Sequence, residues 1–342
     1  MTSLAQAINR FEAAPMPDAV RRAAVQLLVG GAGRRLAQAP GDEVFAREMR
    51  GRPIAEHTEA ANDQHYELPP AFFANVLGPR MKYSCGLYPT GQESLEQAEV
   101  LALAETCAHA DLHDGQDILE LGCGWGSLSL WMAQTLPHAR ILSVSNSGSQ
   151  RMFIEDRARA LDLRNLAVVT ADMNDFHTDH GFDRVVSVEM FEHMANWGGL
   201  LARVRGWLRP QGRLFLHVFS HGSRSYRFDV NNPDDWIARH FFTGGIMPSH
   251  RLIREFGALF EPEADWRWSG AHYARTARDW LANFDRHRGP VDDILATAYG
   301  PGVDLWRRRW RLFFMATAGL FGHAHGSQWG VSHYRLRPVA AG

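Results

Sequence analysis

Three titratable side chains fall close together in the stretch SVEMFEHMANW, residues 187–197: Glu189, Glu192 and His193. They follow an apolar run, FDRVVSV, that reads as a buried strand. Carboxylates and an imidazole at the mouth of such a strand suit holding a cation or accepting a proton. A second stretch, DILELGCGWGSLSLWMA, sets Gly122, Gly124 and Gly126 between a strand and a helix. Glycines let the backbone turn sharply and approach a ligand, and the helix start offers unpaired N–H groups. The spacing is G-x-G-x-G, with Glu120 just before it; it is not the dinucleotide pattern, and no P-loop lysine follows.

The elements that must position these residues alternate. From about residue 96 an amphipathic helix, SLEQAEVLALAETCAHADL, precedes five apolar runs: DILELGCG, ARILSVSN, LAVVTADM, FDRVVSVEM and RLFLHVFS. Helical stretches separate most of them: SLSLWMAQTL, SQRMFIEDRARAL and GGLLARVRGWL. This pattern predicts an α/β fold: a doubly wound, mainly parallel sheet with helices on both faces. The glycine loop then lies where doubly wound sheets bind ligands. Residues 1–60 read as helices with a loose linker, and DAVRRAAVQLLVGGAG as a helix stopped by its glycines. Residues 59–89, rich in aromatics and turn residues, are expected to lie over a site. Residues 221–262 read as an irregular insertion covering the strand ends, and the tail begins as an aromatic helix. Its Trp306, Trp310, Phe313 and Phe314 are expected to be core. The expected division is 1–95, a helical segment and site lid; 96–220, the ligand-binding core; 221–249, an insertion; and 250–342, the end of the sheet and a helical cap.

Composition narrows the function classes. The chain has 342 residues, is 45% hydrophobic and carries a net charge of −2. That suffices for a sizeable core and gives no electrostatic case for nucleic acid or an anionic membrane. Cys85, Cys107 and Cys123 have no metal-ligand spacing, and a reduced, cytoplasmic setting is expected. No metal is expected from the Ser-His pairs at 220–221 and 249–250 either. The N-terminus lacks the features of a signal peptide, and AAVQLLVGGAG is far short of the roughly 20 residues that span a bilayer. RRRW at 307–310 reads as a solvated helix face, with a membrane-facing basic patch as the alternative. Lys82 is the sole lysine.

The strand, acid and glycine loop together resemble motif I of class I S-adenosylmethionine (SAM)-dependent methyltransferases, a Rossmann-like fold. Strand two ends SVSNSGSQ, without the usual ribose-binding acid; Ser145 and Gln150 match the neutral residues that the related cyclopropane synthases use there. Strand three ends TADM, putting Asp172 where that fold contacts the adenine, with Met173 beside it. Further stretches in order, EAANDQHYELPPAFF, MKYSCGLYP, VEMFEHM, FFTGGIMPSH, AHYARTARDW and FGHAHGSQWGVSHY, extend the resemblance over residues 54–338. They resemble the superfamily that joins cyclopropane-fatty-acyl-phospholipid synthases and mycolic acid methyltransferases with coclaurine-type N-methyltransferases.

The resemblance implies that Tyr83 and Ser84 contact SAM. It implies two sets of site residues. Cys85, Glu192, His217 and Tyr273 match the four positions that hold bicarbonate in cyclopropane synthases. Glu189, Glu192 and His193 match the acid–acid–histidine cluster of the amine methyltransferases. Cyclopropane synthases usually have glycine where this chain has Glu189, which favours the amine branch; His217 is a cyclopropane-synthase feature. The leading expectation is SAM-dependent N-methylation of a small, aromatic or alkaloid-like amine, with Glu192 and His193 as base and positioning groups and Glu189 orienting one of them or attracting the cation. The alternative is methyl or methylene transfer to an unsaturated acyl chain with bicarbonate bound, which would require membrane contact. A second alternative is a non-catalytic SAM-binding protein. A homodimer is left open. Four of these site residues also have a plainer reading. Glu189 would be a solvated acid at a helix start, His193 a backbone cap, His217 a satisfied core histidine and Cys85 a small hydrophobe. Cys123 is expected to serve packing.

Overall fold

The computed structural model describes residues 4–56 and 68–340. Residues 59–67 of the stretch expected to overlie the site, EAANDQHYE, therefore lie outside the described residues. Among the described residues, four helices come first: α1 (Leu4–Ala13), α2 (Asp18–Leu36), α3 (Asp42–Met49) and α4 (Pro70–Val76). Next comes α5 (Leu95–His109), which starts where Ser94 and Gln97 form a reciprocal capping box. The five apolar runs then become β1 (Asp117–Leu121), β2 (Arg140–Ser145), β3 (Leu166–Thr170), β4 (Phe182–Val188) and β5 (Leu208–His221). Between them run α6 (Ser127–Thr135), α7 (Gly148–Ala160) and α8 (Trp197–Trp207). Ser147 caps α7 and Asn196 caps α8 through their side chains.

After β5 come a small hairpin, β6 (Tyr226–Arg227) with β7 (Ile246–Met247), and the short α9 (Trp236–His240) between its strands. The chain ends with β8 (Phe260–Ser269), the helices α10 (Gly270–Arg286), α11 (Arg288–Tyr299) and α12 (Val303–Gly322), and β9 (Trp329–Pro338). The seven-stranded sheet has the order β3-β2-β1-β4-β5-β9-β8, and β9 runs antiparallel to both of its neighbours. The mainly parallel, doubly wound sheet is the predicted fold class. Strand order reverses between β1 and β4, so a crevice opens beyond their carboxyl ends.

Two features depart from the sequence pattern. The helix expected to stop at its glycines runs through Gly30, Gly31 and Gly33 to Leu36. Packing overrides the stop signal: a side chain at Gly33 would meet Gln328 at 3.0 Å and Trp329 at 3.6 Å. The tail, expected to be a helical cap, also returns to the sheet as β9. Its residues are almost all buried, so the alternation that marks a half-exposed strand is missing. The aromatic stripe of α12 is core: Trp310 and Phe314 are buried, and Trp306 and Phe313 pack partly buried against the same cluster. Among the described residues no helix is long and apolar enough to cross a membrane, and no cluster of side chains could hold a metal ion.

Candidate active site

The glycine turn after β1 forms one wall of a cavity at the crevice. Its three glycines, all at positive φ, do different things. A Cβ at Gly122 would lie 2.5 Å from Met190, so glycine permits the close approach of the segment after β4. A Cβ at Gly126 would meet Ile154 of α7 at 2.6 Å, which makes this glycine a packing residue. Gly124 has nothing within 4 Å and borders the cavity. Cys123 packs against Ile154 and Val168, as expected. Glu120 accepts hydrogen bonds from Ser129 Oγ (2.5 Å) and Ser143 Oγ (2.7 Å), which ties β1 to α6 and β2.

Several polar groups around this turn are left over. Ser145 Oγ donates to Gln150 Oε1 at 2.7 Å, which fixes the amide and leaves Gln150 Nε2 buried with no partner. Ser127 Oγ is likewise buried and unpartnered, and both residues line the cavity. Such orphan donors in a cavity wall point to a polar ligand. Asp172 and Met173 line it at the end of β3, and Tyr83 and Ser84 line it from the segment before α5. An open glycine, orphan amide and hydroxyl donors and a carboxylate fit SAM, which carries carboxylate, ribose and adenine groups together.

The acceptor side is built around Glu189. It stands directly after β4 with φ +49, an uncommon conformation for a non-glycine residue. The left-handed residue costs about 1–2 kcal/mol and turns the carboxylate back into the protein. Only 8% of the side chain is exposed. Its carboxylate accepts from Tyr273 Oη (2.6 Å) and from the backbone N–H of Cys85 (3.0 Å), and it lies 3.2 Å from His217 Nε2. Three residues distant in sequence thus meet at the Glu189 carboxylate, and the solvated-acid reading of Glu189 is excluded. Cys85 takes part through its backbone; its thiol lies 3.2 Å from the Gly86 carbonyl, and burial pushes the thiol pKa up.

The two glutamates differ in environment. Burial raises the Glu189 pKa, but Lys82, then the Tyr273 hydroxyl and the Cys85 N–H, oppose that rise. Burial pushes Glu192 well above the usual carboxylate range, the nearby Glu189 charge pushes the same way, and no cation opposes them. Glu192 Oε1 accepts from the Phe219 N–H at 2.6 Å, while its other oxygen is buried without a partner. When paired acids have such unequal surroundings, the proton settles on the poorly solvated one. A proton shared by the pair therefore favours Glu192 over Glu189, which moves the base role expected of Glu192 to Glu189. His193 lines the cavity with its ring 4.6 Å from Phe242, and desolvation holds its pKa down to about 4, so it is neutral at neutral pH. His217 is fully buried on β5 with a polar neighbour at each ring nitrogen, a core histidine that also touches the site carboxylate.

Sequence reasoning passed over Lys82 as a site residue. It is buried, lines the cavity and bonds Ser84 Oγ at 2.5 Å. Being the sole lysine, placed beside Tyr83 and Ser84, was the available signal. His333, which bonds His217, was hidden in a tail read as a cap.

A family model described as mycolic acid cyclopropane synthetase matches residues 55–326. The chain belongs to that family. Among its curated relatives, (S)-coclaurine N-methyltransferase from Thalictrum flavum subsp. glaucum is 32% identical over 84% of this chain and 81% of the relative. Cyclopropane-fatty-acyl-phospholipid synthase from Escherichia coli (strain K12) is 34% identical over 65% of this chain and 55% of the relative. The crystal structure of a coclaurine N-methyltransferase, solved with N-methylheliamine and SAH, covers 98% of this chain and 100% of its own, with TM-score 0.89 and 28% identity. The cyclopropane synthase MmaA2 from Mycobacterium tuberculosis shares the fold, with TM-score 0.69 and 23% identity over 83% of this chain and 99% of its own.

Proposed function

We propose that this chain, a SAM-dependent methyltransferase, transfers the methyl group to the nitrogen of a small, alkaloid-like amine, with Glu189 taking the acceptor's proton. The Glu189 carboxylate carries this reading. It engages Cys85, Tyr273 and His217, three of the four positions that the resemblance to cyclopropane synthases assigns to bicarbonate. The fourth, Glu192, is close enough for the Glu189 charge to raise its pKa. The chain supplies covalently, as a side chain, the carboxylate that the acyl-chain chemistry would need as a free anion. The amine relatives agree with this reading.

SAM, when bound, supplies a methyl group on a positively charged sulfur for in-line displacement. Gln150, Ser127, Asp172, Met173, Tyr83, Ser84 and the backbone at Gly124 would hold it. Gly122 and Ser145 support that wall, through close approach and through Gln150, and Gly126 seats the helix behind it. An amine arrives mostly as an ammonium ion, whose nitrogen has no lone pair to attack with. The Glu189 carboxylate holds that cation and takes one proton, which frees the lone pair. With its proton, Glu192 adds no second negative charge beside Glu189. Neutral His193 accepts a hydrogen bond from the acceptor and steers it. Tyr83 and Thr243 line the cavity and Tyr273 reaches Glu189 from segments outside the 96–220 core.

The test is a turnover assay with methyl-labelled SAM and two acceptor sets. One is a panel of phenethylamines and tetrahydroisoquinolines; the other is vesicles of unsaturated phospholipid, with and without bicarbonate. Label on an amine is expected. Label on lipid alone, dependent on bicarbonate, would overturn the reading and make Cys85, Glu192, His217 and Tyr273 the working set.

A further inference from the structure

A column of imidazoles leads from Glu189 out through the protein. His217 on β5 and His333 on β9 are directly paired across the sheet, and His109 ends α5 above them. Four contacts link the column. Glu189 Oε1 is 3.2 Å from His217 Nε2, and His217 Nδ1 is 2.8 Å from His333 Nε2. His333 Nδ1 is 2.8 Å from His109 Nδ1, and His109 Nε2 is 3.0 Å from Glu105 Oε1. His217 and His333 are fully buried, whereas the Glu105 side chain is 44% exposed. Trp266 stacks on His109 at 3.8 Å, and Trp268 lies against His333 and His217, so the rings are held in line. Both ring nitrogens of every histidine are committed to the column, and packing alone does not require that.

We propose that His217, His333 and His109 pass the acceptor's proton from Glu189 to Glu105 and so to water. The proposal rests on the amine reading above. A proton count supports it. Burial pushes all three imidazoles down, so each is neutral and brings one N–H. Four contacts between two carboxylates and three neutral rings need four protons, and the rings supply three. One contact must lack a proton, and the longest of the four is the one at Glu189.

In the reaction the acceptor's N–H bond breaks and a Glu189 O–H forms. That proton moves to His217 Nε2 while the His217 Nδ1 proton moves to His333 Nε2. The His333 Nδ1 proton moves to His109 Nδ1, and the His109 Nε2 proton moves to Glu105, which releases it to water. Each ring gains one proton and loses one, so each ends neutral as its other tautomer. After product leaves, the reverse shift, fed by water at Glu105 and drained from Glu189 into the emptied cavity, resets the column. Facing the inner end are Lys82, Cys85, Tyr273, Glu192 and His193; facing the outer end are Glu105 and Arg335. His333 and His109 touch no substrate and act through Glu189 as positioning residues.

The test compares the full-length protein with His109→Phe, which keeps the ring stacked on Trp266, and with His333→Gln, using one secondary amine from pH 7 to above the acceptor's own pKa. At pH 7 kcat should fall about tenfold or more in each variant. The deficit should close at high pH, where the amine arrives without the extra proton. The proton inventory in mixed light and heavy water should curve for the wild type and straighten for the variants. A loss equal at every pH is a packing defect and overturns the relay, as does an unchanged kcat in His109→Phe. If the wild type methylates no amine, the amine reading falls first and the relay with it.

Discussion

Removing a single hydroxyl, in Tyr273→Phe, should move the pH profile of methyl transfer. Tyr273 donates to Glu189 Oε2 at 2.6 Å, and its ring stacks on Phe321 at 4.3 Å, a contact phenylalanine keeps. A hydrogen bond to a charged group contributes about 1.5–3 kcal/mol. At about 1.4 kcal/mol per pKa unit, its loss raises the Glu189 pKa by about one to two units. The direction follows from which form is stabilised: the hydroxyl favours the carboxylate, so deleting it favours the acid. Glu189 acts as a base only when ionised, so activity is lost as pH falls through its pKa. In the variant that loss should begin at higher pH. The assay is kcat/KM for a tetrahydroisoquinoline between pH 5 and 9. The acid limb should shift upward by about one to two units, with the plateau above it within a few-fold of wild type. An acid limb that stays in place or moves downward would refute the reasoning.

Other outcomes follow from the same structure. Lys82→Met should shift that limb in the same direction, because Lys82 is the strongest group holding Glu189 ionised; the pH profile measures it. Gln150→Ala removes the orphan amide donor and should weaken SAM binding about tenfold, the worth of one hydrogen bond, as read by calorimetry. Gly126→Ala puts a methyl group 2.6 Å from Ile154 at φ +78 and should cost about 2–4 kcal/mol, seen as a lower Tm that Ile154→Ala partly restores. Asp117, buried between Arg140 and Arg209, has its carboxyl pKa pulled down to about 2. Its stabilisation, about 2 kcal/mol, is present above about pH 4 and is lost as pH falls through about 2. Asp117→Asn should therefore lower stability near pH 7 and cease to matter near pH 2, as denaturant titrations would show.

Much of this architecture is legible in the sequence for physical reasons. Each of the first five strands is an apolar run, and the helices before and between them carry caps such as Ser94, Ser147 and Asn196. The glycine loop is legible because left-handed turns and close approaches admit few other residues. Packing hid the rest. The glycines in α2 read as a stop, but Gln328 and Trp329 press against Gly33. The strand β9 is too uniformly buried to alternate. The constellation at Glu189 is invisible locally, since its partners lie 104, 84 and 28 residues away. Sequence could nominate Glu189, Glu192 and His193 together. Only the unequal surroundings of the two glutamates, seen in the structure, show which of them holds a proton more readily.

The central claim, that Glu189 carries the carboxylate the reaction needs, is tested most directly by Glu189→Gly. Glycine suits the left-handed backbone at φ +49, so the fold is expected to survive, and the substitution opens the cradle of Cys85, Tyr273 and His217. Amine methylation should fall by about 10²–10⁴-fold and recover saturably when bicarbonate is added. Undiminished turnover of the amine by Glu189→Gly, with no carboxylate or bicarbonate supplied, would contradict the account.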